Sequence, residues 1–167
     1  MTLEQLNALD REAAEQVFLR CCGSTRWARQ MAAHRPFRDA PVMALHAERL
    51  SRELEAADWL EAFAAHPRIG ESHRAGGAGE SGPDWSAREQ AGMGAATDAV
   101  RERLAAANRE YEARFGFLYI VSATGKTASE MLDIAECRLT HSPDEELRIA
   151  ADEQLKITRH RLAKLLA

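Results

Sequence analysis

With 167 residues, 46% of them hydrophobic and 29% charged, and with only 10 Gly and 5 Pro, the chain has the composition of a globular protein rather than a disordered one. Its 22 Lys and Arg stand against 26 Asp and Glu, a formal charge of -4 with no dense basic cluster, which argues against a nucleic-acid partner. The length suits one domain, 1–167, and no apolar run approaches the ~20 residues of a membrane-spanning helix.

Helix signals follow one another along the chain. Thr2-x-x-Gln5 matches a reciprocal capping box, and Asp10 and Ser24 are N-cap candidates for the next two helices. The first of these carries the stripe Ala14, Val17, Phe18 and Cys21 and stops at Gly23. Val42, Leu45, Leu50 and Leu54 suggest a further buried stripe, and Asp58 another N-cap. An apolar helix then breaks at His66-Pro67, and Gly70 to Pro83, with five glycines and scattered charges, reads as a mobile loop.

Ser86-x-x-Glu89 is a second capping box, after which Val100, Leu104, Ala107 and Tyr111 form a stripe that ends at Gly116. Phe117 to Ser122 is rich in β-branched and aromatic residues, yet one such segment has no partner strand, so it reads as a buried linker or a helix start. Thr127-x-x-Glu130 opens a helix through Leu132, Ala135 and Leu139. Ser142-x-x-Glu145, with Pro143 in the first turn, opens a last one through Leu147, Ala150, Ala151, Leu155 and Leu162. The fold class is all-α: about eight helices around one core. The three cysteines contain no Cys-x-x-Cys pair and read as small buried hydrophobes.

Several groups could carry chemistry. His66 can be a helix-end dipole partner or a catalyst; Pro67 biases it out of helical backbone and turns its ring off the helix stripe. Ser86 and Glu89 can be only a cap, or the start of a helix that also receives a ligand, with the Gln90 amide beside them. Arg138 near a helix end can be a solvated dipole partner or a fork for a carboxylate or urea carbonyl. Gly125-Lys126-Thr127 is not a phosphate loop, because Ile120 stands where its first glycine belongs. His66, Glu71 and His73 lack zinc-ligand spacing, so no metal is expected.

The ordered set Leu6-Asn7, Arg35-Pro36-Phe37, His66-Pro67, Ser86-x-x-Glu89-Gln90, Tyr111 before Phe115-Gly116-Phe117, and Arg138-Leu139 resembles the 2-oxo-4-hydroxy-4-carboxy-5-ureidoimidazoline (OHCU) decarboxylase family of urate breakdown over nearly the whole chain. Members of that family often carry an acidic residue after His-Pro, where this chain has Arg68. The resemblance implies a helical, commonly dimeric enzyme without metal or organic cofactor that turns OHCU into (S)-allantoin and CO2. It makes His66 the acid–base residue, and proton chemistry near neutral pH suggests Glu89 as the carboxylate that pairs with it. Pro67, Ser86, Ala87, Arg88, Gln90, Tyr119, Ile120, Val121, Ser122, Ala123 and Arg138 become the substrate-binding set.

No signal-peptide segment opens the chain, and Lys164-Leu165-Leu166-Ala167 is no Ser-Lys-Leu-type address, so a cytoplasmic location is expected. Two rival readings stay open on the sequence: a non-catalytic helical binding module whose caps are only caps, and a decarboxylase for a related ureido or imidazoline substrate.

Overall fold

A computed structural model describes residues 1–70 and 88–167; the glycine-rich segment from 71 onward, together with Ser86 and Ala87, lies outside the described residues. Eight α-helices and one 3-10 helix are traced in full there, with no strand among the described residues. They are α1 (Leu3–Ala8), α2 (Arg11–Cys22), α3 (Thr25–Ala33), α4 (Ala40–Arg52), α5 (Ala56–Ala64), η1 (Ala91–Ala95), α6 (Asp98–Phe115), α7 (Ala128–Arg138) and α8 (Pro143–Leu165). None is long and apolar enough to cross a membrane. The residues pack as two compact units, Met1–Ala62 with Gln154–Ala167, and Phe63–Glu153, and α5 and α8 supply residues to both.

Local chemistry explains the helix ends. Capping boxes close at Thr2 with Gln5 and at Thr127 with Glu130. Ser142 and Glu145 exchange the same pair of bonds, at 3.1 and 3.4 Å. Asp10 and Ser24 cap α2 and α3, and Gly23 and Gly116 end α2 and α6 in the left-handed region that favours glycine. Asp58 is not an N-cap. It sits in the first turn of α5 and accepts from the Glu55 N–H at 3.0 Å.

In the first unit, Phe18 meets Trp27 and Phe37 edge-on at centroid distances of 6.0 and 6.2 Å, and Trp27 Nε1 donates to Ala47 O at 3.1 Å. Asn7 exchanges two bonds of 2.9 Å with the backbone of Phe37, and Arg35 donates to the carbonyls of Leu6, Leu9 and Asp10 at 2.8, 2.7 and 3.2 Å. The Leu6-Asn7 and Arg35-Pro36-Phe37 motifs are thus a clamp on the end of α1.

The buried stripe of α4 is Met43, Ala47 and Leu50, whereas Leu45 is 68% exposed. At roughly 100° per residue, Leu45 points away from the Met43 face. Cys21 and Cys22 are buried, but Cys137 is exposed rather than buried. Burial pushes the Cys22 thiol up to about 11, so it serves as a small core group.

A histidine pair gives the first unit a pH response. The His46 ring lies 4.8 Å from that of His34, whose Nε2 accepts from Arg49 at 2.9 Å, and His46 Nδ1 is buried with no hydrogen-bond partner. Burial, then the neighbouring His34 and Arg49, hold the His46 pKa below its ordinary 6.5. The unfolded chain therefore takes up the proton first as pH falls. Stability from this group is complete above pH 6.5 and is lost as pH drops through the lower folded value. Thermal unfolding at about pH 7.5 and about pH 5.5 should show His46→Gln losing less on acidification than the wild type; equal losses would exclude His46 as a source.

The second unit has its own core of Ile69, Met93, Leu104, Ala107, Tyr111, Tyr119, Val121, Ala123, Ala128, Met131, Leu132 and Ala135. Tyr111 stacks edgewise on Phe117 and Tyr119 at 5.7 and 5.3 Å, and Phe63 adds a contact to Phe117 at 5.4 Å. Residues 117–123 form a non-helical linker between α6 and α7, buried from Tyr119 onward. Alternation sends Tyr119, Val121 and Ala123 into this core.

Candidate active site

His66 lies two residues past the end of α5, with its backbone N–H on Phe63 O at 3.1 Å, and both it and Pro67 are half-buried. The next three residues are held one by one. Arg68 makes a two-pronged pair with Glu112 at 2.6 and 2.9 Å. Asn108 Nδ2 donates to Ile69 O at 2.9 Å, and the Gly70 N–H donates to Gln90 Oε1 at 2.9 Å. Asn108 and Glu112 stand one turn apart on α6, so a single helix face grips the histidine turn. Gly70 has φ +85, which a side chain rarely adopts.

The Gln90 bond brings the acid segment to that turn. Arg88 and Glu89 have helical backbone; Arg88 is exposed and Glu89 is buried at 8%. Gln90 then leads into η1, whose backbone packs directly on the turn before α7: a Cβ on Gly92 would fall 1.9 Å from Lys126 O. Only glycine permits that approach.

Tyr119, Ile120, Val121, Ser122 and Ala123 are all buried, and polar partners fix several of their peptide groups. Arg138 Nη1 donates to Ile120 O at 2.7 Å, Ser122 N donates to Glu153 at 2.6 Å, and Lys126 Nζ donates to Ser122 O at 2.6 Å. Tyr119 OH donates to Met131 O at 2.9 Å. Among the described residues, no hydrogen bond engages the backbone of Val121.

Arg138 is not a solvated dipole partner, being 4% exposed. Nε donates to Glu146 at 2.7 Å and Nη2 to Tyr111 OH at 3.2 Å, so with the Ile120 bond all three guanidinium nitrogens are engaged inside the protein. Glu146 is fully buried and also meets Tyr111 OH and His141 Nδ1. Burial opposes the Arg138 charge, yet the Glu146 hydrogen bond and the neighbouring Tyr111 hold its pKa above the ordinary value. Burial likewise raises the Tyr111 and Tyr119 phenols, which stay neutral.

Residues 7–163 match the protein-family model for OHCU decarboxylase. The chain belongs to the OHCU decarboxylase family. Within and around this family, the uric acid degradation bifunctional protein TTL of Arabidopsis thaliana is 36% identical over 160 residues, covering 93% of this chain and 48% of that protein. The chain thus spans about half the length of that relative. The 2-oxo-4-hydroxy-4-carboxy-5-ureidoimidazoline decarboxylase of Haloferax volcanii is 26% identical over 165 residues, covering 98% of this chain and 95% of that one. A crystal structure of OHCU decarboxylase in the presence of (S)-allantoin superposes with a TM-score of 0.78 at 34% identity, covering 95% of this chain and 99% of that one.

For an OHCU decarboxylase family member, the arrangement brings the His66–Gly70, Glu89–Ala95 and Tyr119–Thr127 segments together through the Gly70–Gln90 bond and the Gly92–Lys126 approach. It adds groups that the sequence did not single out, Asn108, Glu112, Glu146 and Glu153, and gives Lys126 a bond to Ser122 O. Arg68, where many members are acidic, offered one signal, since a cation beside His66 calls for a carboxylate such as Glu112. Among the described residues, no group of three or more His, Cys, Asp or Glu is placed to hold a metal.

Proposed function

We propose that this chain decarboxylates OHCU to (S)-allantoin and CO2 without an organic cofactor. The observation that carries the reading is the 2.9 Å bond from the Gly70 N–H to Gln90 Oε1, which ties the histidine turn to the acid segment in a chain of this family. Breaking the carbon–carboxylate bond releases an electron pair, and a substrate lacking an electron sink would need a prosthetic group to take it. The C=N of the OHCU ring lies next to the departing carboxylate and accepts the pair, its nitrogen taking up one proton from water. The enol so formed becomes allantoin when its hydroxyl proton leaves and a proton reaches the ureido-bearing carbon.

The protein then has to orient the ring, stabilise charge and move one proton. His66 is assigned that proton, because an imidazole exchanges it readily near neutral pH, and Glu89 is assigned as its partner. Delivery from one face gives the S product. The Gln90 amide keeps its N–H donors for a carbonyl, and the Tyr119 to Ala123 main chain suits the alternating N–H and C=O edges of the ureido and imidazolone groups. Pro67 and Arg88 line the same segments, and Ser86 and Ala87 are retained in the proposed binding set. Arg138 acts by holding the Ile120 carbonyl.

Cytoplasmic residence, on the sequence signals given above, and a homodimer, on the family resemblance, complete the proposal. The test is direct: freshly generated OHCU is mixed with the protein and the circular dichroism of the product is followed. Rapid appearance of the (S)-allantoin band supports the reading. Slow, racemic product at the rate without protein refutes it.

A further inference from the structure

We infer that Asn108 is a positioning residue for the catalytic turn, acting on His66 through the peptide unit between Ile69 and Gly70; the inference rests on the role proposed for His66. That peptide is held on both edges by side-chain amides. Asn108 Nδ2 donates to its carbonyl and Gln90 Oε1 accepts from its N–H, each at 2.9 Å. Pinning one peptide plane from both sides fixes the ψ of Ile69 and the φ of Gly70, which sits at +85. Only Pro67 and Arg68 separate His66 from this unit, and Arg68 is itself paired with Glu112. Because Gln90 adjoins Glu89, the same peptide also sets how far the acid segment stands from the histidine.

Packing alone does not account for an amide at this place. Asn108 is 4% exposed on the face of α6 that carries Leu104, Ala107 and Tyr111. Its Oδ1 is buried without a hydrogen-bond partner, a desolvation cost that a leucine would avoid. What the amide supplies and leucine lacks is the donor on Ile69 O. A donor spent on one backbone carbonyl, three residues after the proton carrier, serves geometry rather than bulk. Displacing a reacting group by about 1 Å costs on the order of 10²-fold in rate.

Asn108→Leu and Asn108→Asp test this with OHCU as substrate, each variant first checked by circular dichroism and by an unfolding midpoint above the assay temperature. The leucine variant is expected to lose about 10- to 100-fold in kcat with KM within about twofold, and to give product of lower enantiomeric excess. The aspartate variant has the sharper signature. Ionised, it has no donor for Ile69 O; protonated, its carboxyl has the donor and acceptor of the native amide, and burial favours that neutral form. Its activity relative to wild type should therefore rise as pH falls, whereas the leucine ratio stays flat, a contrast that a purely structural role would not produce. Should the leucine variant fail to fold, the aspartate profile decides. Wild-type kcat and pH profiles in both variants, or a flat aspartate ratio, overturn the inference. If wild-type protein does not turn over OHCU, the proposed activity fails separately, and the His66 ring titration followed by NMR becomes the readout: a midpoint moved by Asn108→Asp supports the positioning role, and an unmoved one ends it.

Discussion

His66→Asn is expected to lower kcat on OHCU by roughly 10²- to 10⁴-fold, the usual worth of a positioned acid–base group, with KM changed little. Asparagine keeps a hydrogen-bonding amide near the imidazole Nδ1 position but cannot take or give a proton near neutral pH. The fold should tolerate the change, since His66 is half-buried and its backbone N–H, which donates to Phe63 O, is kept. The turn beyond it stays pinned through Arg68, Ile69 and Gly70. Binding of (S)-allantoin, measured as a thermal shift, should therefore survive the loss of turnover. Fast, S-specific conversion by the folded variant would remove His66 from the reaction.

The second large effect is on stability. Arg138→Met is expected to cost about 3–5 kcal/mol, because it strands the Glu146 carboxylate, which has no solvent exposure, beside only Tyr111 and His141. In a domain of this size that lowers Tm by on the order of 6–20 °C. Arg138→Lys should recover little, since an ammonium cannot reach Glu146, Tyr111 and Ile120 O with one planar fork. The double variant Arg138→Met with Glu146→Leu should regain much of the loss, because the charge left without its partner is gone. Whatever folds should be slow, as Ile120 O is no longer held. An unchanged Tm with a selective rise in KM would reverse this picture and return Arg138 to direct substrate contact.

These two residues differ in how plainly the chain announced them. His66-Pro67 stands out because proline ends the helical backbone locally, and the consequence is local too. Arg138 was visible as an arginine near a helix end, but its surroundings were not: Glu146 lies on the next helix, and Tyr111 and Ile120 come from two further segments. The α8 stripe shows the same limit. Its buried face includes Glu146, Gln154, Thr158 and Arg161 beside Ala150 and Leu162, and apolar periodicity passes over polar residues that are buried because they are paired. On α4, counting apolar residues favoured Val42 and Leu45, while the helix buries Met43 and Ala47, whose neighbours decide the face.

By itself the sequence marked several helix ends, at Thr2, Asp10, Gly23, Ser24, Gly116 and Thr127, since caps and glycine stops act between residues a few positions apart. Tertiary structure alone decided which polar groups meet. Arg68 finds Glu112 across 44 residues and Ile69 finds Asn108 across 39, and such partners follow from which helix faces are pressed together. A buried donor must have an acceptor, but its chemistry does not say which of many distant carbonyls the packing will offer it.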